Sequence, residues 1–557
     1  MWKSGTAVGY IDLLEQLDAY IADQGSAFGI HFDPGNVGSG RVISCSGGPA
    51  SVAETFTLEC QADDSWTITG SVTGLIGSVN PGTPFTSTHL CIDLDSGDPE
   101  YAAGDTMTIC TAPPWVRLSA KCQASSTRWR VRALNVEGSY SLTTCIGKLQ
   151  MYETRGGTDQ CTGGTASASS VASTDYNGVH TADMAFDTNA ATFWQCLGEE
   201  ASWLEYQFAT AKSIVQVALT PGSAINWNNL PRNMVVEYYH SASGTWRIAG
   251  SWYYNVGAGV ERRTFDLWEY IWQGPGNDGN ASVIVGVNPF GNPSTGAWNW
   301  RLNGYTGHSG DTCDWFNHPG AIARGTQSYG PVLPLADDGV NPIIEFWFYV
   351  NGRRIVVIAH IGSTYQAAYL GLILPFGNPG SAESPGVWPY PLAVGGSLAF
   401  DAEPEDGASA QWLYSYGGAT NLWCHSAFPI SRQNTYGVIT DSLGKLRVRD
   451  AGGNWRGFGG TNETWHLGAC MENKIWPFAN GFDNMKLNLD GSVCLMPVML
   501  YRTAVPKEVY GVLDGVFAIP GDGVGAESLI LHDRVQYQAF IDVFRSDANS
   551  FFAVKED

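Results

Sequence analysis

Residues 343–376 constrain the fold more than any other stretch, and they read IIEFWFYVNGRRIVVIAHIGSTYQAAYLGLILPF. Aromatic and β-branched residues fill two runs, 343–350 and 354–361, on either side of Asn351-Gly352, and a third run follows at 365–374. Asn-Gly between such runs is a strong sign of a β-hairpin, because both residues tolerate the positive φ of a type I′ turn. The pattern predicts three consecutive strands that form the core sheet of a C-terminal domain.

Charged residues within the apolar stretch argue against a membrane span, and the net charge of the chain argues against a nucleic-acid partner. Glu345, Arg353, Arg354 and His360 divide the apolar stretch into pieces too short to cross a bilayer as a helix. The formal net charge is −23, whereas phosphate binding needs a basic face. We therefore predict no membrane span and no nucleic-acid partner.

The composition of the whole chain indicates one fold class. The 557 residues include 67 Gly, 27 Pro, 21 Trp, 24 Tyr and 23 Phe, while only 15% are charged. Aromatic and β-branched residues suit pleated surfaces, and Gly and Pro end strands. At about 150 residues per domain the length predicts three or four domains. We predict a mainly β protein with several β-sandwich or jelly-roll domains and one short N-terminal helix.

Twelve cysteines are spread thinly, without a CxxC pair or a Cys/His cluster of zinc spacing. Seven of the twelve lie in the first 161 residues. Two interpretations stay open, which are disulfides outside a reducing cytoplasm and buried free thiols. No apolar signal segment is visible after Met1, which fits a particle component released by lysis.

Two local patterns suggest the domain boundaries. One apolar stripe consists of Tyr10, Leu13, Leu14, Leu17 and Ile21. Its spacing predicts a helix that ends near Gly25. Residues 154–170 are rich in Gly, Ser and Thr and read as a linker. We predict a particle-attachment domain at 1–153 with the helix and a sandwich, a second domain at 154–268, and a β-rich domain at 269–557 that divides near 400.

Several short motifs follow one another in residues 165–268. They are ASAS at 166–169, ADMAFD at 182–187 with Thr192 and Trp194, WLEYQF at 203–208, SIVQVAL at 213–219 and SASGTW at 241–246. In this order and spacing they resemble a discoidin (F5/8 type C) domain. The resemblance implies an eight-stranded jelly roll whose loops at one end bind glycans, lipids or proteins.

The resemblance also implies a structural cation beside the AFD motif, where discoidin domains often hold one. The matching positions are Phe186 through its backbone, Asp187, Asn189 and Thr192, and Thr188 stands where the family usually has glycine. Oxygen ligands at such spacing suit Ca²⁺. A structural Ca²⁺ in this module is therefore an implication of the resemblance, and the sequence indicates no other cofactor.

Two clusters in the same module combine aromatic rings with amides or further rings. Trp227, Asn228 and Asn229 belong to one of them, and Trp252 and Tyr253 to the other. A sugar stacks on an aromatic face while flanking amides form hydrogen bonds with it. These five residues are our predicted ligand site. The alternative is that the rings close the sandwich or contact the next domain.

Both ends of the chain carry a further resemblance. The segments are WKSGTA at 2–7, WNWRLNGY at 298–305, the hairpin itself, WPYPLAVGGS at 388–397 and EVYGVLDGV at 508–516. Together they resemble tail-associated virion proteins of tailed bacteriophages. The resemblance implies a location in the tail tip or baseplate, other tail proteins as partners, and a discoidin-like module inserted between the two ends. We expect a homo-oligomer, with a trimer favoured.

From these resemblances we expect a structural virion protein that contributes to binding a bacterial surface glycan or protein, and no enzyme. No Walker loop, GxSxG or HExxH motif occurs. The alternative is a carbohydrate-active enzyme, a tail-associated depolymerase with a discoidin-type module. It predicts two carboxylates about 5 Å or about 6.5–9.5 Å apart within residues 270–557. A secreted adhesin is a third hypothesis.

Three further clusters have the residue types of metal or acid–base sites but read better as loops. They are His31 with Asp33, then His308 and His318 around Asp311, Cys313 and Asp314, and the acidic run of Asp401, Glu403, Glu405 and Asp406. None carries the spacing of an EF-hand or the local signature of a catalytic cysteine.

Overall fold

The fold is described from a computed structural model of the chain. The described residues are 2–556 except 63, 120–123, 137–143, 173–179, 190, 198–200, 222–230, 254–262, 268, 276–282, 293–296, 309–317, 323–330, 336–341, 363, 376–391, 397, 400–445, 450–452, 459–464, 469–491, 503–507, 521–523, 533–534 and 542–549. Within them the protein is mainly β, with 36 strands and a single α-helix, which confirms the predicted fold class. No described helix is both long and apolar enough to cross a bilayer.

The chain starts with a strand and the predicted helix, β1 (Trp2–Val8) and α1 (Gly9–Ile21). Gly9 has a φ of +80°, which lets the chain turn from the strand into the helix without Cβ strain. The backbone N–H of Val8 donates to Asp12 Oδ2 at 2.8 Å, so Asp12 satisfies a donor that the first turn leaves open. The apolar stripe predicted for this helix is buried.

Eight strands between residues 26 and 112 form the first sandwich. They are β2 (Ser26–Phe32), β3 (Val42–Gly47), β4 (Glu54–Cys60), β5 (Trp66–Gly70), β6 (Gly74–Val79), β7 (Phe85–Thr86), β8 (Leu90–Leu94) and β9 (Thr106–Ala112). A five-stranded sheet, β2-β9-β4-β5-β6, faces a three-stranded sheet, β3-β8-β7. Alternate residues such as Phe56, Leu58, Trp66 and Ile68 point inward and are fully buried.

After β10 (Val116–Ser119), nine strands form the second sandwich. They are β11 (Ser126–Val136), β12 (Cys145–Tyr152), β13 (Thr165–Ala168), β14 (Trp194–Gln195), β15 (Trp203–Lys212), β16 (Gln216–Pro221), β17 (Pro231–His240), β18 (Thr245–Tyr253) and β19 (Arg263–Asp266). The sheet β13-β15-β11-β17-β18 packs against the sheet β14-β12-β16-β19. A short 3-10 helix, Ala182–Ala185, lies beside them.

The second sandwich begins earlier than the predicted boundary at 153/154. Its central strand β11 pairs with β15 and β17, and β12 pairs with β14 and β16. Both strands lie within the predicted N-terminal domain, 1–153. The Gly/Ser/Thr-rich segment at 154–170 is therefore a connection inside one sandwich, because a loop between two sheets has the same composition as a linker between two domains.

The remaining strands build the core domain. They are β20 (Tyr270–Gly274), β21 (Val283–Asn292), β22 (Ala297–Tyr305), β23 (Pro331–Pro334), β24 (Ile343–Asn351), β25 (Arg354–Ile361), β26 (Thr364–Pro375), β27 (Leu392–Gly396), β28 (Leu398–Ala399), β29 (Leu446–Arg449), β30 (Trp455–Phe458), β31 (Trp465–Gly468), β32 (Met496–Arg502), β33 (Glu508–Pro520), β34 (Leu529–His532), β35 (Val535–Ile541) and β36 (Ser550–Lys555). A thirteen-stranded sheet contains β1 and β24–β26, and a six-stranded sheet runs β10-β20-β21-β22-β23-β28.

The apolar hairpin is buried on both faces. Phe346 and Phe348 of β24 pack with α1 and the six-stranded sheet, while Trp347 and Tyr349 pack with the strands that end the chain. A strand covered on both faces has no solvent side, so its sequence is a continuous apolar run without alternation. This double burial accounts for the apolar composition of the hairpin strands.

The hairpin turn is shifted by one residue from the prediction. Asn351 lies opposite Arg354 in the ladder, so Gly352 and Arg353 form the turn. The side chain of Asn351 accepts hydrogen bonds from the backbone N–H groups of Arg353 at 2.9 Å and Arg354 at 3.0 Å. Asn351 therefore stabilises the turn through its side chain and not as a residue with positive φ.

The N-terminal segment belongs to the core domain and not to the first sandwich. β1 is antiparallel to β24, with Trp2 opposite Tyr349, and the buried stripe of α1 shares one core with the hairpin. β10 pairs with β20 of the same domain. The core domain is thus built from three separate pieces of chain, and the two sandwiches are inserted between them.

Cysteine chemistry in the described residues is that of free thiols. They are Cys45, Cys60, Cys91, Cys110, Cys145, Cys161, Cys196 and Cys494. Burial raises the pKa of the Cys45 and Cys161 thiols well above the ordinary value. For these eight residues the interpretation as buried or half-buried thiols fits the structure.

Candidate functional site

The central strand of the second sandwich presents three arginines on its outer face. Along β11, Trp129, Val131 and Ala133 are buried between the two sheets. Successive side chains of a strand point to opposite faces, so Arg128, Arg130 and Arg132 lie on the side away from that core. The sequence RWRVRA thus encodes a row of guanidinium groups across the middle of a sheet.

Two buried glutamates on the neighbouring strands bind these arginines. Arg130 lies opposite both Glu205 of β15 and Glu237 of β17 in the ladder. Arg128 binds Glu205 through two nitrogens at 2.5 and 3.1 Å, and Arg132 and Arg130 bind Glu237 at 2.7 and 2.6 Å. Both carboxylates are at most 4% exposed, so the guanidinium groups supply the charge compensation that their burial requires.

Three aromatic rings complete the surface. The Arg130 guanidinium lies 4.1 Å from the ring centre of Trp246 and 5.6 Å from that of Trp203. Arg128 lies 4.7 Å from the ring centre of Tyr239. We call this set the arginine–aromatic face, and it consists of Arg128, Arg130, Arg132, Trp203, Tyr239 and Trp246. Its side chains are half-buried, so ring edges and guanidinium groups remain accessible to solvent.

The electrostatics of the face keep it cationic. The hydrogen bond from Arg128 to Glu205 raises the pKa of that guanidinium, against the opposing effect of its partial burial. The three arginines of the face and the two glutamates that bind them together carry one net positive charge, in a chain whose formal net charge is −23. Each guanidinium has five N–H donors, so the face can both stack on a flat ligand and donate hydrogen bonds to its hydroxyl or carboxylate groups.

The predicted ligand residues are only partly described. Trp227, Asn228 and Asn229 lie outside the described residues. Trp252 and Tyr253 belong to β18, where their backbones lie opposite Met234 and Asn233. Trp246 is on the same strand, so the prediction reached the strand that borders the arginine–aromatic face but missed the face itself. The alternation of Arg with apolar residues in RWRVRA was the signal available in the sequence.

Three of the four positions predicted to hold calcium, Asp187, Asn189 and Thr192, meet at the Asp187 carboxylate, which a lysine also contacts. The ammonium group of Lys148, on β12, contacts both the carboxylate and the backbone carbonyl of Asp187. Thr192 Oγ1 donates to Asp187 Oδ2 at 2.7 Å, and the N–H of Asn189 donates to Oδ1 at 2.9 Å. Phe186 packs against Tyr206.

This arrangement does not fit calcium. The Lys148 ammonium already takes the position of a cation against Asp187, and Ca²⁺ would need six to eight oxygen ligands. Burial opposes ionisation of Asp187, but the hydrogen bonds from Lys148, Thr192 and the Asn189 N–H outweigh it and lower the pKa of that carboxyl. A lysine on the neighbouring strand could not be paired with this loop from local sequence.

The other clusters have separate outcomes. Asp33 Oδ1 accepts from the N–H of Gly35 at 2.7 Å, so His31–Asp33 leads into a turn as predicted. His308 and His318 stack with ring centres 4.7 Å apart and approach Glu269, which the sequence did not connect with them. Other predicted members lie outside the described residues, namely Asp311, Cys313, Asp314, Asp401, Glu403, Glu405 and Asp406.

Comparison with known proteins adds little to this geometry. No protein-family model matches the sequence, and no curated protein matches it. Two crystal forms of FlgL from Xanthomonas campestris align with 16% of this chain and with 28% and 29% of their own, at 18% identity and a TM-score of 0.13. The match thus spans less than a third of FlgL, and so low a TM-score carries no argument about fold or function.

Proposed function

We propose that this protein is a structural component of a phage tail tip or baseplate, and that its second sandwich binds a bacterial surface glycan through the arginine–aromatic face. The observation that carries the proposal is the row of guanidinium groups stacked on Trp203, Tyr239 and Trp246. Rings that are half-exposed beside hydrogen-bond donors match the flat apolar faces and polar rims of sugars.

The architecture supports a display role. The core domain is built from β1 with α1, from β10 and from the strands after residue 269, so each sandwich is attached to it at both ends. Such an attachment suits a module that faces outward from a particle. We favour three copies of the protein in one oligomer. Weak binding by each sandwich then adds up to strong attachment of the whole particle.

The single net positive charge of the face narrows the glycan class. A neutral sugar would use the stacking rings and the spare N–H donors, while a uronic or sialic acid residue would also place its carboxylate against a guanidinium. Sugar hydroxyl groups and sugar carboxylates both accept hydrogen bonds from arginine, and the carboxylate also pairs with its charge. We expect acidic polysaccharides to bind more tightly than neutral ones.

The binding proposal is tested with the full-length protein on immobilised acidic and neutral bacterial polysaccharides. Removing one ring, with Trp246→Ala, should weaken binding about tenfold, because one stacked ring with its cation contact contributes about 1 to 2 kcal/mol. Thr57→Ala, on the outer face of the first sandwich, is the matched control and should bind as the parent protein does.

Two results would redirect the proposal. Equal binding by the parent and Trp246→Ala would remove the arginine–aromatic face from the site. Loss of binding only in Trp227→Ala would place the site on the loop predicted from the sequence. Mass spectrometry of purified phage particles tests the virion location separately.

For the depolymerase alternative, Glu345 and Glu527 are a carboxylate pair that the structure brings together after residue 270. Glu345 and Glu527 lie with His360 in one group whose ligand atoms are within 4.8 Å. Both side chains are exposed, at 54% and 40%, and both approach the His360 ring as surface ion pairs do. Release of reducing sugar from a bound polysaccharide, abolished by Glu345→Gln, would favour that alternative over binding alone.

A further inference from the structure

The joint between the second sandwich and the core domain contains a buried carboxylate. The chain leaves the core domain through β10, whose last residue is Ser119, and returns at Glu269, immediately before β20. Ser119 lies opposite Ile271 in the ladder between these two strands. Glu269 is 2% exposed, and its Oε1 accepts a hydrogen bond from Ser119 Oγ at 3.0 Å. The two connections of the sandwich thus meet at one carboxylate.

Two histidines from the core domain face this carboxylate. His308 and His318 follow β22, and their rings are nearly parallel, with an interplanar angle of 22°. His318 is 2% exposed, and its Nε2 lies 3.7 Å from Glu269 Oε1. One ligand atom from each of Glu269, His308 and His318 lies within 4.8 Å of the others.

This group is incompletely satisfied by the surrounding protein. Among the described residues, Glu269 Oε2 and His308 Nε2 are buried atoms without a hydrogen-bond partner. A buried carboxylate is strongly unfavourable unless a cation or several donors compensate it, and one serine hydroxyl does not suffice. A carboxylate oxygen and an imidazole nitrogen are both donor types that bind metal ions, and the three side chains already lie within 4.8 Å of one another through one ligand atom each.

We infer that Glu269, His308 and His318 bind a divalent transition metal, with Zn²⁺ as the ion that best suits the donors. Two imidazole nitrogens and one carboxylate oxygen form a known type of zinc ligand set, which leaves a fourth position for solvent. Two ligands of a tetrahedral zinc lie about 3.4 Å apart when the bonds are about 2.1 Å. The 3.7 Å separation between His318 and Glu269 is close to that value and too long for a hydrogen bond.

The charge balance of the group agrees with metal binding. A dication on two neutral imidazoles and one carboxylate leaves a single positive charge in place of an uncompensated negative one. Ser119 and Glu269 lie in the two chain segments that connect the second sandwich to the core domain. An ion bound to Glu269 would therefore fix the orientation of that sandwich on the core domain.

The test uses the full-length protein, loaded with ZnCl₂ and then desalted, with zinc measured by elemental mass spectrometry. The parent protein should retain one zinc per chain, and Glu269→Gln and His308→Ala should retain less than a tenth of that amount. His360→Ala is the control, because His360 also lies between two glutamates, Glu345 and Glu527, but on the surface. It should retain as much zinc as the parent.

A spectroscopic measurement covers the case in which a variant fails to fold. Co²⁺ added to the metal-free parent should produce the visible absorption of tetrahedral cobalt, and an equivalent of Zn²⁺ should remove it. Absence of both bound zinc and cobalt absorption in the folded parent overturns the inference. Unchanged zinc retention in both Glu269→Gln and His308→Ala overturns it as well.

Discussion

The two inserted sandwiches have similar cores and different outer faces. On the five-stranded sheet of the first sandwich the solvent side carries small hydroxyl groups, from Thr55, Thr57, Thr67, Thr69, Thr106 and Thr108. The corresponding sheet of the second sandwich carries arginines, buried glutamates and aromatic rings. Both faces obey the same alternation of inward apolar and outward polar residues. The second offers indole and phenol rings on which a ligand can stack, so alternation defines the sandwich and side-chain type defines the site.

Each sandwich also contains a buried glutamate with a different kind of partner. Glu54 of the first accepts from the N–H groups of Val72 at 3.1 Å and Thr73 at 3.0 Å. Glu237 of the second is bound by Arg130 and Arg132. An amide can replace a carboxylate that accepts from backbone N–H groups, but it cannot neutralise two guanidinium groups. The same substitution therefore distinguishes the two environments.

The largest stability effect is expected for Glu237→Gln. It leaves two partly buried arginines without their carboxylate, and we expect a loss of about 2 to 3 kcal/mol in the free energy of unfolding of the second sandwich. Glu54→Gln should cost about 1 kcal/mol in the first. Hydrogen exchange of peptides from β17 and from β4 in the full-length protein measures each sandwich separately.

Equal effects of the two substitutions would contradict this difference in environment. Each variant also serves as the control of the other, since exchange in the unmodified sandwich should not change. A substitution whose effect spread to both sandwiches would indicate that they unfold as one unit.

A smaller effect is expected for Arg130→Lys. Lysine keeps the charge near Glu237 but loses the planar group that stacks on Trp246, so exchange in β17 and β18 should report a loss of about 1 kcal/mol. Arg117→Lys is the control. Arg117 pairs with Asp18 at 2.5 Å, but its side chain is 53% exposed, so this change should stay within about 0.5 kcal/mol. A smaller loss of stability for Arg130→Lys than for Arg117→Lys would show that stacking on Trp246 does not stabilise the face.

The smallest effect concerns pH and the Asp187 loop. The pKa of Asp187 is below its ordinary value of 3.8 in the folded protein, so its contribution is complete above pH 3.8 and is lost as the pH falls through the lowered pKa. Asp187 is partly exposed, so the contribution is about 0.5 kcal/mol. The difference in Tm between the parent and Asp187→Asn should shrink on going from pH 6 to pH 2.

Calcium gives an independent measurement on the same loop. Because Lys148 already contacts Asp187, we expect CaCl₂ to leave the Tm of the parent unchanged. A calcium-dependent rise in Tm that disappears in Asp187→Asn would contradict the interpretation of Lys148 as the resident cation and favour the calcium site that the sequence resemblance implies.

Local periodicity was sufficient for the helix and for the hairpin strands. The stripe from Tyr10 to Ile21 and the runs around Asn351 depend on residues close in sequence. The two hairpin strands lie within a residue of their predicted bounds, and the helix ends at Ile21, four residues before the predicted end near Gly25. The boundary predicted at 153/154 depends on information of a different kind. Which sheet β11 and β12 join depends on strands some fifty to a hundred residues further along, and local composition does not contain that information.

The candidate sites show the same limit. Arg128, Arg130 and Arg132 were readable as the polar side of a strand, but their partners Glu205, Glu237 and Trp246 come from three other strands. Lys148 reaches the Asp187 loop from β12. Glu269 meets His308 and His318 only because the core sheet brings two connections together. Sites assembled across strands require the pairing register, which the sequence of one strand does not determine.

The pairing of β1 with β24 has a consequence for synthesis of the protein. Trp2 cannot meet Tyr349 until almost two-thirds of the chain has been made, whereas both sandwiches are complete by residue 266. Domains fold as units while the chain emerges, so the sandwiches should form on the ribosome while α1 still lacks the surface that buries it. A chain that stops before residue 343 would carry two folded sandwiches and an exposed apolar helix. Closure of the core sheet therefore distinguishes finished chains from truncated ones.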